Sequence, residues 1–191
     1  VLLQNLKGKR RFSYLGYGKG FKYSNIEKLD SPWCWKDPAN TITLDLWRTI
    51  FPDAKIVFIY RHPLDVAASL SARTAKRMAN KYSRNWKVKL KESLLYKEPI
   101  YAFSYRTSDT LEAINLWEHY NKKALEHQEK IPPSHFHTIQ YEALLQEPEK
   151  HFRALLDFLD LKAETDRISA FNAKLDSTRI YSFLNNSELV K

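Results

Sequence analysis

Cysteine, glycine and long apolar runs are all scarce in this chain of 191 residues. Cys34 is the single cysteine, so no internal disulfide can form. That fits a reducing compartment and weighs against a secretory lumen. Only four glycines occur beside plentiful aromatics, a composition that excludes a disordered chain. No apolar run nears the ~20 residues of a membrane-spanning helix. Val1-Leu2-Leu3 is too short for a secretory signal. No His/Cys cluster has metal-ligand spacing, and His119 and His127 stand two helical turns apart rather than one, so no metal site is expected. Internal repeats, low-complexity tracts and a G-x-S-x-G nucleophile elbow are also missing, which excludes solenoids and the usual acyl hydrolases.

Positive charge is what the chain has in excess. A net charge of +9 suits any polyanion: nucleic acid, acidic lipid, acidic glycan or a phosphorylated nucleotide. Charge alone does not choose among them. The cluster Lys7-Gly8-Lys9-Arg10-Arg11 reads as a solvated loop. Gly16, Gly18 and Gly20 read as turn residues, because no G-K-[ST] follows them as a phosphate loop requires. Length alone predicts one domain over residues 1–191.

The most informative stretch is Phe51 to Arg73, FPDAKIVFIYRHPLDVAASLSAR. Lys55–Tyr60 is rich in β-branched and aromatic residues and suits a strand buried on both faces of a parallel sheet. Arg61 and His62 make a polar corner. Pro63 then opens a helix, with Asp65 in its first turn and Val66, Ala67 and Leu70 at helical spacing. Arg61 is therefore expected at the carboxyl end of a strand, where open α/β sheets bind ligands. A guanidinium there can hold a phosphate with two parallel hydrogen bonds.

Elsewhere, Ser31–Pro38 (SPWCWKDP) predicts a short strand running into a loop, with Trp33 and Trp35 on one face. Thr41–Ile50 predicts a helix with Ile42, Leu46 and Ile50 in a stripe. The basic run Arg73–Arg84 reads as a solvated helix face. Asn85–Thr110 has no period; its aromatics, among them Trp86, Tyr96, Tyr101 and Phe103, could face an acceptor ring or form a satellite core. Leu111–Lys130 predicts an amphipathic helix burying Ala113, Leu116, Trp117, Tyr120 and Ala124. Phe136–Tyr141 predicts a second parallel strand. Pro148 opens a helix over Glu149–Leu161, its inward face formed by Phe152, Leu155, Leu156 and Leu159.

The order W-K-D-P, helix, P-D-A-K, apolar strand, R-H-P-L-D and Ser69 resembles the sulfotransferases that use 3′-phosphoadenosine 5′-phosphosulfate (PAPS), in particular the bacterial branch acting on sugars, lipids and other small acceptors. Tyr141-Glu142 followed by L-L-x-x-P is similar to that family's Y-E-D-L segment. The resemblance spans about Trp33 to Leu161. It implies an α/β fold: a P-loop-NTPase-like parallel sheet flanked by helices, incomplete at the N-terminus because no P-K-S-G-T-T-like donor loop is found, and expected upstream of Val1. It implies that Arg61 and Ser69 hold the donor's 3′-phosphate, that Tyr141 lies near the adenine, and that Arg179 is a late phosphate contact. Lys36 falls where the soluble phenol and steroid enzymes keep an active-site Lys. Their catalytic His, two places on, is Pro38 here, so no base is supplied at that point; Asp37 is adjacent and reads as a helix cap.

The expected function is sulfuryl transfer from PAPS, leaving 3′-phosphoadenosine 5′-phosphate (PAP), to a hydroxyl or amine of a small-molecule, glycan or lipid acceptor. The expected setting is a bacterial cytoplasm, with no nucleic-acid partner and no integral membrane segment. The alternatives are a non-catalytic sulfotransferase-like module that binds a nucleotide or acidic glycan, and a nucleotide kinase, for which no Walker-type Lys or Mg²⁺-binding Asp is recognisable.

Overall fold

The computed structural model describes residues 21–24, 28–83, 105–162 and 165–185. The Lys7–Arg11 cluster, the glycines at 16, 18 and 20, and Trp86, Tyr96, Tyr101 and Phe103 lie outside these residues. Two compact units are present, residues 1–54 and residues 55–191.

In the first unit, helix α1 spans Asn40–Ile50. The Asp37 carboxylate accepts the Ala39 N–H at 2.9 Å, and the Asp37 carbonyl accepts the Asn40 N–H at 3.0 Å. Asp37 thus satisfies backbone donors at the helix entry, as its position before a helix suggests. The strand expected within Ser31–Pro38 does not form: residues 32–37 have no regular structure. Aromatic packing replaces strand pairing as the organising force. Trp33 and Trp35 stack with centroids 5.4 Å apart, and Trp35 lies 4.9 Å from Trp47, which stacks on Phe51 at 6.5 Å. This cluster also corrects the expected α1 stripe. Trp47 faces the other rings, while Ile42 and Leu46 are 42% and 54% exposed. Rings bury more area than aliphatic side chains, so the aromatic face prevails.

The second unit opens with strand β1, Ile56–Tyr60, and helix α2, Pro63–Ser83. A 3₁₀ turn at Tyr105–Ser108 precedes helix α3, Thr110–Lys130. Asp109 caps α3, its carboxylate accepting the Glu112 N–H at 2.9 Å. Strand β2, Phe136–Gln140, runs directly into helix α4, Tyr141–Gln146, and helix α5, Pro148–Phe158. Helix α6, Thr165–Asn172, is followed by 3₁₀ turns at Ser177–Arg179 and Ser182–Asn185.

β1 and β2 pair in parallel, Ile56 with Phe136 through Tyr60 with Gln140. Among the described residues they make a two-stranded sheet. α2 packs on α3, and α4 and α5 contact β2. The core gathers Ala67, Ala113, Ala124, Ile131, Phe136, Ile139, Leu144 and Leu145. β1 is less enclosed than its composition predicts: Ile59 is 52% exposed, since its face lacks cover among the described residues. Leu116 is likewise exposed rather than buried, and Ala113 and Ala124 mark the inward line of α3. Tyr141 starts α4 instead of ending β2, and α5 stops at Phe158. Arg73 and Lys76 on α2 are exposed, consistent with a solvated face.

Candidate functional site

β1 ends at Tyr60 and α2 begins at Pro63, so Arg61 and His62 occupy a two-residue corner. Proline suits the first helical turn because its missing N–H would have no helical partner there. The neighbouring strand does the same thing at the same level. Tyr60 is in register with Gln140, so Arg61-His62 and Tyr141-Glu142 leave the sheet side by side. The Arg61 guanidinium carbon stands 4.9 Å from the centre of the Tyr141 ring, a cation–π arrangement. The Glu142 carboxylate accepts the His62 backbone N–H at 2.9 Å.

Asp65 lies at the centre of this corner and is 1% exposed. Its Oδ2 accepts from Arg61 Nε at 3.2 Å and lies 3.0 Å from Nη2. Its Oδ1 accepts from the Ser182 hydroxyl and from the Phe183 N–H, each at 2.8 Å. Buried charge is tolerated because it is paired and fully hydrogen-bonded. Arg61 Nη2 also donates to the Arg179 carbonyl at 2.6 Å and to the Ser182 hydroxyl at 3.3 Å. The Arg61 carbonyl accepts the Trp117 indole N–H at 2.8 Å. His62 stacks on Phe183 at 4.6 Å and meets the edge of Tyr181 at 5.6 Å. Two buried atoms here have no hydrogen-bond partner, His62 Nδ1 and Glu142 Oε2.

The side chain of Arg61 is 22% exposed, so it faces neither bulk water nor a closed core. Tyr141 lies against it. Arg179 reaches it by its backbone carbonyl only; the Arg179 side chain is 65% exposed and pairs with Asp176 at 3.4 Å. Asp176 accepts the Thr178 N–H and hydroxyl. The Thr178 hydrogen bond, with Arg179 assisting, holds the Asp176 carboxyl below its ordinary range. Ser69 is exposed on α2 and makes no hydrogen bond to Arg61. Lys36 is exposed on the loop before α1, in the first unit. Sequence reasoning gave Asp65 only a helix-dipole role. An Arg four residues before a first-turn Asp was the available signal for the pairing. Trp117, Ser182 and Phe183 carried no signal in the linear order.

One end of this guanidinium is not engaged by the described residues. Nη1 donates to no described residue, while Nε and Nη2 are occupied. Asp65 and Tyr141 fix the orientation of the Arg61 guanidinium. Among the described residues no group of His, Cys, Asp or Glu could hold a metal ion. No described helix is long and apolar enough to cross a membrane.

Arg61 is thus held at the carboxyl tip of β1, beside the proline that opens α2. The chain belongs to the sulfotransferase family, whose sequence model matches residues 19–166. No curated protein and no solved structure matches the chain. Family membership makes sulfuryl transfer its general activity.

Proposed function

We propose that this chain is a PAPS-dependent sulfotransferase that acts on a hydroxyl or amine of a small-molecule, glycan or lipid acceptor. In this reading residues 1–191 form one P-loop-NTPase-like domain, supported by a family match that runs through both compact units. The lone exposed thiol of Cys34 accords with a reducing, cytoplasmic setting.

Arg61 would hold the donor's 3′-phosphate, with Ser69, eight residues on and in the second turn of α2, as a further contact. Tyr141 would back the guanidinium and adjoin the adenine. Arg179 would lie at the rim of the same phosphate. Lys36 would orient groups near the sulfuryl. PAPS, when bound, supplies an activated sulfuryl group with PAP as leaving group. Sulfuryl transfer resembles phosphoryl transfer, so positioning and charge stabilisation carry most of the catalysis. Arg61, remote from the reacting sulfur, contributes donor affinity and selection for a 3′-phosphate rather than chemistry.

The observation that carries this reading is a half-buried Arg61, oriented by a buried carboxylate, with Nη1 left for a ligand. Calorimetric titration of PAP into the full chain tests it. Binding is expected, and Arg61→Ala is expected to weaken it by about 2–5 kcal/mol. Equal affinity in a folded Arg61→Ala variant refutes the assignment.

A further inference from the structure

A guanidinium has two edges that can hold an oxyanion by paired N–H groups, Nε with Nη2 and Nη1 with Nη2. In Arg61 the first edge is filled by Asp65. The second is half filled, because Nη2 also donates to the Arg179 carbonyl at 2.6 Å and, less closely, to the Ser182 hydroxyl at 3.3 Å. A phosphate arriving at this corner finds only Nη1 open. A two-point grip requires the Arg179 carbonyl to leave.

The segment that carries this carbonyl is a short 3₁₀ turn held by its own local bonds to Asp176. Ser177, Thr178 and Arg179 are exposed, and Ile180 is half-buried. The segment just beyond it is firmly held: Ser182 and Phe183 bond to Asp65, and Phe183 stacks on His62. Tyr181 joins the two with φ of 48°, in the left-handed region. That conformation is unfavourable for a bulky non-glycine residue and persists only where surrounding contacts impose it. A strained joint thus separates an exposed arm from a pinned one.

Building on the donor-binding reading above, we propose that residues 177–180 are an exchangeable occupant of the Arg61 site. The Arg179 carbonyl holds the Nη2–H that a donor phosphate needs, and the arm turns away about Tyr181 when the phosphate binds. The carbonyl is neutral and the phosphate anionic, so only the phosphate adds ion-pair attraction to the bond, and the exchange runs toward the phosphate. Asp65 keeps Ser182 and Phe183 in place throughout, so the arm returns to Arg61 when the nucleotide departs. Apparent donor affinity is lowered by the competition.

PAP titrations compare the full chain with Ser182→Ala. Ser182→Ala removes the hydroxyl that bonds Asp65 and Arg61 and so loosens the arm. The variant is expected to bind PAP about tenfold more tightly than the parent, the effect of losing one competing hydrogen bond. Equal or weaker binding by folded Ser182→Ala overturns the proposal. A second measurement on the unaltered chain does not depend on a variant folding. PAP is expected to speed hydrogen exchange at the amides of residues 179 and 180 while leaving that of Phe183 slow. Slower exchange at 179 and 180 also overturns it. Failure of parent and variant alike to bind PAP removes the donor-binding reading, and the arm's role with it. Arg61-dependent PAP binding that Ser182→Ala leaves unimproved sinks the arm alone.

Discussion

The indole N–H of Trp117 donates to the carbonyl of Arg61 at 2.8 Å, joining the middle of α3 to the tip of β1. This bond fixes the backbone of the residue proposed to hold the donor phosphate. Trp117→Phe keeps a ring of related shape and removes the donor. A loss of about 1 kcal/mol in unfolding free energy is expected, with weaker PAP binding. Urea denaturation and calorimetry check the two effects, and unchanged values in both contradict the role given to this bond.

Asp65 should be far more sensitive. It is buried and accepts from Arg61, Ser182 and Phe183 at once. Asp65→Ala leaves a partly buried guanidinium uncompensated and strips two donors of their acceptor. Breaking such a pair costs about 3 kcal/mol or more. A fall below 1 kcal/mol, read from a denaturant midpoint at constant slope, argues against this network.

Glu142 behaves differently, because only one of its oxygens is used. Oε1 accepts the His62 N–H at 2.9 Å, whereas the buried Oε2 has no partner. Glu142→Gln keeps the acceptor and removes a buried charge, so stability should shift by less than about 1 kcal/mol. Glu142→Leu leaves the His62 N–H unpaired and should cost about 2 kcal/mol. Equal losses for the two variants contradict the acceptor role.

Stability should also fall on acidification through His137. Partial burial pushes its pKa below the ordinary histidine value, and the nearby His151 lowers it further. His137 packs on Phe158 with centroids 5.0 Å apart. The unfolded chain therefore takes up the proton first as pH falls. Above the ordinary histidine value both states are neutral and nothing is lost; below it, stability drops until the folded state is protonated as well. His137→Phe keeps the ring stack and removes the titration. Between about pH 7.5 and about pH 5.5, its melting temperature should fall less than that of the parent. Parallel curves contradict the assignment.

The βα corner at Arg61 was legible because local chemistry decides it: an apolar strand, a polar pair, then proline and aspartate. The α3 helix was legible from its period, whereas the Asp109 cap that starts it emerged only from the structure. Loop 32–37 was misread as a strand because alternation of Trp33 and Trp35 looks the same whether indoles line a sheet or stack on each other. Leu116 and Ile59 were misplaced because enclosure depends on which elements cover a face, and no single segment encodes that. The Asp65–Ser182 bond joins residues 117 positions apart. Nothing in either local stretch announces the other; only the family resemblance, through Arg179, pointed the tail toward Arg61, and the contact found is made by the Arg179 carbonyl.

The parallel register of β1 with β2 has a consequence for how the chain is made. Ile56 must wait for Phe136 to be synthesised before it has a partner, and Arg61 must wait longer still for Ser182. During translation the finished first half therefore carries an unsatisfied strand edge and an unshielded guanidinium, open to the chaperones and acidic surfaces around the ribosome until the last elements emerge.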